Sequence, residues 1–202
     1  MAATSAPEGR QSLPDRLVGL GPKRWYQGLA AVALAITGLF GGLDRVDTAV
    51  TRIEPDAEFD DGALTVTVKR ARLLPEVTAG ERVLMSAAPG WQYLAVVTAL
   101  ANDGTEPVPL PDEIDLRNVE TTGDVTVFRL ADGSQTASLG PGLSGEFAYV
   151  WQLPATALRP GEGVSLRIWK KKYIELSVAL GRGWIDSSTD YAEMELPVGE
   201  RR

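Results

Sequence analysis

The sequence predicts an all-β fold: an antiparallel β-sandwich preceded by a single membrane-spanning helix. Three observations support this. One uncharged apolar segment lies near the N-terminus, and alternating apolar and polar residues follow it from Ala63 onward. Turn residues separate the alternating runs in a chain that contains 21 Gly and 13 Pro in all. A period of two places apolar side chains on one face of a strand, and no second helical pattern is convincing. At 202 residues, the chain has room for one such domain.

The composition excludes several classes of function. A formal net charge of -7 argues against a nucleic-acid partner, because phosphate binding requires a clustered cationic face. The chain contains neither Cys nor His. Zinc and copper therefore lose their usual ligands, and a Ser-His or Cys-His nucleophile loses its base. We expect no metal or other cofactor, and a protein that is not an enzyme.

The apolar segment from Trp25 to Leu43 carries no charge over its 19 residues. As a helix rising 1.5 Å per residue, it matches the roughly 30 Å hydrocarbon core of a bilayer. Trp25 and Tyr26 stand at its N-terminal edge beside Lys23 and Arg24, as aromatic and basic residues do at a membrane interface. The sequence therefore predicts a transmembrane helix over residues 25–43.

Basic residues on either side of this segment predict its orientation. Four precede it and two follow it: Arg10, Arg16, Lys23 and Arg24, then Arg45 and Arg52. The excess of basic residues before the segment places the N-terminus in the cytoplasm. The prediction is a single-pass protein of the cytoplasmic membrane with a cytoplasmic tail at 1–24, an acidic stalk at 44–61 and an extracytoplasmic sandwich at 62–199.

Two other interpretations of the apolar segment stay open. Ala33-Leu34-Ala35 fits the pattern of a signal-peptidase site, although the region before it is long for a cleaved signal, and a buried core helix is the other possibility. Gly38 and Gly42 form a G-x-x-x-G motif, which would let two such helices pack closely. The alternative for these glycines is a helix that merely contains small residues.

Beyond the stalk, alternation predicts seven to nine strands. Trp91 to Ala101 is apolar on both faces, which is typical of a central strand, and Asn102-Asp103-Gly104 predicts the turn after it. Phe147, Tyr149 and Trp151 share one face of a further strand and predict an aromatic core. The strands are predicted at 63–69, 83–87, 91–101, 114–119, 125–130, 146–153, 164–169, 173–180 and 192–198.

Two segments carry a resemblance to a known group of domains. YLAVVTALANDGTEPVPL, from Tyr93 to Leu110, and FAYVWQLPATALRPGEGVSLRI, from Phe147 to Ile168, resemble extracytoplasmic immunoglobulin-like and telokin-like domains. Such domains occur on bacterial lipoproteins and membrane-anchored surface proteins. The resemblance implies an immunoglobulin-like sandwich outside the membrane and no catalytic residues. Because the chain has no lipobox Cys, its anchor would be the helix.

The best candidate for a contact surface is the run Lys170, Lys171 and Lys172 beside Trp169. These lysines could bind anionic lipid headgroups, a polyanionic wall polymer or an acidic partner. Alternatively, they protect an edge strand against aggregation. Trp184, in a Gly-rich segment predicted as a loop, is either a binding aromatic or a plug on the core.

No motif indicates a catalytic centre. The acidic stretch from Asp56 to Gly62 does not match the spacing of a Ca²⁺ loop, and Gly142 to Glu146 lacks the second Gly of a nucleophile elbow. The first hypothesis is therefore a membrane-tethered, non-enzymatic interaction domain that binds a membrane or envelope protein. The second is an envelope enzyme or enzyme accessory that uses carboxylates or a Ser-Lys pair, recognisable by a pocket with converging ionisable groups and shifted pKa values.

Overall fold

The computed structural model describes residues 49–176 and 181–199, and these form thirteen strands with no helix among them. The predicted tail, the span at 25–43 with Gly38 and Gly42, and the start of the stalk lie outside the described residues. The strands are β1 (Ala49–Arg52), β2 (Glu58–Asp60), β3 (Thr65–Leu74), β4 (Glu76–Ala79), β5 (Arg82–Ser86), β6 (Trp91–Ala101), β7 (Val108–Pro109), β8 (Asp115–Leu116), β9 (Thr122–Arg129), β10 (Ser138–Leu139), β11 (Ser144–Pro154), β12 (Gly163–Leu176) and β13 (Gly181–Gly199). Within these described residues, no helix could span a membrane.

The strands form two main layers that share β13. One layer has the order β8-β12-β13-β1, and the other has the order β3-β6-β11-β9 with β2 beside β3. The last residues of β13, Val198 and Gly199, leave the first layer and pair with Ala71 and Arg72 of β3. The predicted β-sandwich is therefore confirmed, and its two layers are joined by hydrogen bonds at one corner.

The central strand β6 is buried on both faces, as its sequence predicts. Leu94, Val96 and Leu100 face the core between the layers. On the opposite face, Tyr93 and Ala95 belong to a second apolar cluster, which includes Val77 and Leu84 of the β4–β5 hairpin. The hairpin covers the outer face of the sheet, so both faces of β6 are buried. This explains why the residues of β6 do not alternate between apolar and polar.

The aromatic core predicted on β11 is confirmed. Phe147, Tyr149 and Trp151 all point between the layers, and none is more than 5% exposed. The rings of Tyr149 and Trp151 stack with their centroids 6.0 Å apart. Apolar side chains of β3 and of the inner faces of β12 and β13 complete this core: Val66, Val68, Leu73, Val164, Leu166, Ile168, Ala192, Met194 and Leu196.

Two aspects of the strand prediction are wrong. The sandwich is not purely antiparallel, because β1 pairs with β13 in parallel and β13 pairs with β3 in parallel. The segments predicted as separate strands at 164–169 and 173–180 form one strand, β12, up to Leu176. The chain does not reverse between these segments: a β-bulge between Trp169 and Lys171 shifts the register, and the strand continues beyond it.

The boundary predicted between stalk and sandwich is also wrong. Residues 49–52 and 58–60 form β1 and β2, which pair with β13 and β3. Phe59 is only 7% exposed, and Asp61 is fully buried. The acidic composition predicted solvation of the whole segment, whereas in β2 the charged Glu58 and Asp60 face water and Phe59 alone points inward. The folded domain therefore begins at or before Ala49.

This boundary leads to a first prediction. A chain shortened to begin at Asp60 should be less stable than one that begins at Ala49 by at least about 2 kcal/mol, because it loses the buried side chain of Phe59 and the pairing of β1. Urea unfolding of the two chains measures the difference. Phe59→Ala in the longer chain separates the side-chain contribution from the strand pairing, and equal stability of the two chains would show that the first two strands are dispensable.

Candidate functional site

The candidate site lies where β12 and β13 extend past their neighbours as a two-stranded ribbon. β8 pairs with β12 only at Leu166 and Arg167, and β1 pairs with β13 from Asp190 onward. We call residues 170–176 and 181–189 the arm. Its β-branched and aromatic residues favour extended backbone, and β12 and β13 stay paired to their ends at Leu176 and Gly181.

The β-bulge at the base of the arm determines which lysine points inward. Val164, Leu166 and Ile168 alternate into the core, so an unbroken strand would direct residue 170 inward next. The extra residue in the bulge shifts the alternation by one, and Lys171 becomes the buried side chain at 8% exposure. The bulge therefore places the Lys171 side chain at the end of the core.

Lys171 is held by several groups at once. Its Nζ lies 2.6 Å from Oδ1 of Asp186 on the paired strand and 3.8 Å from Oε2 of Glu113, and it donates to the Asp112 carbonyl at 3.4 Å. Its backbone N–H donates to the Asp61 carbonyl at 2.6 Å. Burial lowers the pKa of Lys171, but Glu113 and Asp186 raise it more, so the side chain is charged at neutral pH.

Glu113 and Asp61 form a buried acid pair beside Lys171, and both residues are 0% exposed. Asp61 Oδ1 accepts hydrogen bonds from the N–H groups of Ala63 and Leu64, each at 2.6 Å. Burial raises the pKa of Glu113 well above its usual value, and the adjacent Asp61 raises it further. Asp61 Oδ2 and both Glu113 oxygens have no hydrogen-bond partner among the described groups, and a proton on Glu113 would let the two carboxyl groups share a hydrogen bond.

The polar cluster extends to a buried tyrosine. The Tyr149 hydroxyl is fully buried and has no hydrogen-bond partner among the described residues. Burial raises the pKa of Tyr149 well above its usual value, and the nearby acid pair Glu113 and Asp61 raises it too. Tyr149 therefore stays neutral, and Lys171 is the cation that balances the acids.

A cavity of about 110 Å³ opens beside this cluster and is lined by Pro109, Asp112, Lys171, Trp184 and Asp186. The Trp184 indole N–H donates to the Pro107 carbonyl at 3.0 Å, and its ring packs against the core. Trp184 is therefore a partial plug on the core, and it lies in β13 rather than in the predicted loop. This cavity brings together two of the predicted contact residues, Lys171 and Trp184.

The other predicted contact residues point elsewhere. Trp169 lies on the outer face of its sheet, where its indole N–H donates to Asp115 at 2.9 Å and the Arg167 guanidinium lies 4.9 Å from its ring centroid. Lys170 donates to the Asp60 carbonyl at 2.6 Å, and Lys172 is exposed. The three lysines therefore do not share one surface, because Lys171 is buried while Lys172 is exposed on the other side of the strand.

The residues of this cluster allow few kinds of chemistry. Within residues 49–176 and 181–199, no group of three or more Asp or Glu side chains is placed to hold a metal ion. The described contacts of Lys171 Nζ are with acids and a carbonyl oxygen, and no Ser hydroxyl is among them. The contacts of Lys171 connect the arm to Asp61 at the end of β2 and to Glu113 before β8.

Comparison with known proteins bears on the fold. No protein-family model matches the chain, and a search of curated proteins found no match. Among solved structures, an uncharacterized β-sandwich protein from Clostridium difficile is 11% identical, with a TM-score of 0.50 over 75% of this chain and 97% of that one. A "putative lipoprotein" from Bacillus subtilis is 12% identical, with a TM-score of 0.40 over 70% of this chain and 38% of that one. The first likeness shows that the chain shares the β-sandwich fold with that bacterial protein.

Proposed function

We propose that this chain is a membrane-tethered, non-enzymatic interaction domain of immunoglobulin-like, telokin-like type that lies outside the cytoplasmic membrane. Residues 25–43 are its anchor, and a membrane or envelope protein is its partner. The observation that carries the proposal is the arm, which projects exposed apolar side chains from a base fixed by buried charges.

The arm has the properties of a contact element. Tyr173, Ile174 and Ile185 are 37%, 38% and 40% exposed, although each is a large apolar residue. Ile174 and Ile185 lie on one side of the arm, and Tyr173 lies on the other. Exposed apolar side chains on a surface are typical of sites that a partner covers, and we assign the protein partner to the side that carries Tyr173. A two-stranded ribbon alone is marginally stable in water, so the buried contacts of Lys171 are needed to hold the arm in one geometry. A pre-organised element binds with less loss of conformational entropy.

The enzyme alternative has one observation in its favour, the raised pKa of Glu113, which lies beside Asp61 and Lys171. Both acids are fully buried, and the cavity beside them, about 110 Å³, is below the roughly 300–1,000 Å³ of ordinary ligand sites. A larger surface depression of about 390 Å³ contains none of these groups. It is lined by Arg52, Ile53, Ser165, Glu193, Met194 and Glu195. These dimensions favour the interaction domain.

The membrane tether is tested by alkaline extraction of native membranes. We expect the full chain to stay in the membrane pellet, because an uncharged 19-residue helix resists extraction. Recovery in the soluble fraction, or a mature N-terminus near residue 36, would overturn the tether.

The contact role of the arm is tested by site-specific photo-crosslinking in native membranes. A photoreactive residue at Tyr173 should give a discrete adduct with one protein, because this side chain is exposed on the arm. The matched control is the same residue at Val83, which is 50% exposed on β5. The same adduct from both positions, or none from Tyr173, would contradict the role. Glu113→Gln should leave the adduct unchanged, since binding needs no acid–base group.

A further inference from the structure

One face of the arm combines a cation with apolar side chains. Cross-strand partners share a face of a ribbon, so Lys172 and Ile185 lie side by side, and Ile174 stands next to them opposite Gly183. Ile174 is 38% exposed and Ile185 is 40% exposed, and Lys172 is exposed between them. We call these three side chains the arm face. Tyr173 and Trp184 point to the other side, toward the Pro107 carbonyl.

The chain enters the sandwich at the base of the same arm, because Ala49 of β1 pairs with Asp190 of β13. Six Cα–Cα steps separate Ala49 from Leu43, the end of the predicted span. Fully extended, they cover at most about 22 Å. The nine residue steps from Asp190 back to Gly181 extend about 30 Å at the rise of a β-strand. With the proposed anchor ending at Leu43, the chain that connects it to Ala49 is shorter than the arm.

We propose that the arm face docks on the anionic headgroups of the bilayer in which the chain is anchored. This inference rests on the proposed membrane tether. A lysine beside exposed isoleucines suits such a surface, because the ammonium group pairs with anionic headgroups while apolar side chains enter the boundary between headgroups and acyl chains. The chain carries a net charge of -7, so an anionic bilayer repels its acidic surfaces and selects this cationic one.

The full chain allows a direct test, because it has no Cys and a single introduced thiol can be labelled without side reactions. Ile185→Cys carries an environment-sensitive fluorophore, and the chain is reconstituted into phosphatidylcholine vesicles with or without phosphatidylserine. Val83→Cys, labelled in the same way, serves as the control position. We expect quenching by headgroup-attached quenchers at position 185 in the anionic vesicles only, with loss of that quenching as salt rises.

Substitutions in the labelled chain test which side chains are responsible for docking. In the labelled chain, Lys172→Gln should reduce the ratio of docked to undocked arm about fivefold, the effect of one lysine at an anionic surface. Arg82→Gln makes the same change in charge on the exposed surface of β5 and should leave the ratio unchanged. Ile174→Ser should weaken docking at every salt concentration, since it removes apolar area rather than charge.

Three outcomes would overturn the inference: no quenching at position 185, equal quenching in vesicles without phosphatidylserine, or a change that needs added envelope protein. The last would identify a protein as the occupant of the arm face. Alkaline extraction separates these failures from failure of the proposed function. A chain that resists extraction but shows no lipid contact retains its tether and loses only the docking.

Discussion

Lys171→Met is expected to lower the free energy of unfolding by about 3–5 kcal/mol, the usual cost of removing one partner from a buried ion pair. Met fills nearly the same space, so the loss reports charge rather than volume. Without Lys171, the negative charge shared by Asp61 and Glu113 has no counter-ion in the core. The loss of Lys171 destabilises the charge of Asp186 less, because the Asp186 side chain is 44% exposed and water can solvate it.

The neighbouring position provides the control. Lys172→Met removes the same charge from an exposed site and should change stability by no more than about 0.5 kcal/mol. Urea unfolding of the domain from Ala49 onward, at neutral pH, measures both variants. Equal effects at the two positions would mean that Lys171 is not the counter-ion of the acid pair.

The second large effect concerns pH. Glu113 has a folded-state pKa well above 4.5, so the folded domain keeps its proton in a range where the unfolded chain has lost it. Stability should therefore fall as pH rises from about 4.5 toward the folded pKa, by no more than about 1.4 kcal/mol per pH unit for one proton. Below 4.5 both states are protonated, and Glu113 adds no pH dependence.

Glu113→Gln isolates this contribution. The amide imitates the protonated carboxyl and can still donate to Asp61, so wild type and variant should be of similar stability near pH 4. The variant should become the more stable of the two as pH increases, and the difference should level off above the folded pKa of Glu113. Urea unfolding at a series of pH values measures it. A constant difference, or a variant that is less stable at high pH, would show that Glu113 is ionised in the folded domain.

Local patterns in the sequence predict much of the sandwich. The limits of β6 agree with the apolar segment from Trp91 to Ala101, and the aromatic residues of β11 are buried as their alternation predicts. These features depend on residues close together in the chain. The two parallel pairings were missed because they join segments far apart, such as Ala49 with Asp190, and no local period reports a distant partner.

The buried charges were harder to predict for a different reason. Composition treats Asp61, Glu113 and Lys171 as surface residues, and burial is favourable only because they meet. Two local features that hold the cluster together become visible only in the structure. Inward alternation along β12 reaches Lys171 once a bulge is allowed. Gly62, next to Asp61, has a φ of 96°, and a Cβ there would lie 2.7 Å from the Lys171 carbonyl oxygen, so the close contact of the β2–β3 turn with β12 depends on glycine.

The parallel pairing of β1 with β13 also determines how the domain would respond to force. A pull on the chain ahead of Ala49, directed along β1, acts across the hydrogen bonds to β13 rather than on one bond at a time. All four register pairs from Ala49 to Arg52 would then share the load and have to break together. The opposite end of β13 is bonded to β3 in the second layer, so tension entering at the N-terminus passes through one strand into both sheets. The pairing of β1 with β13 therefore resists a force directed along the strands. The sandwich should stay folded under a tension that would open a terminal hairpin one hydrogen bond at a time.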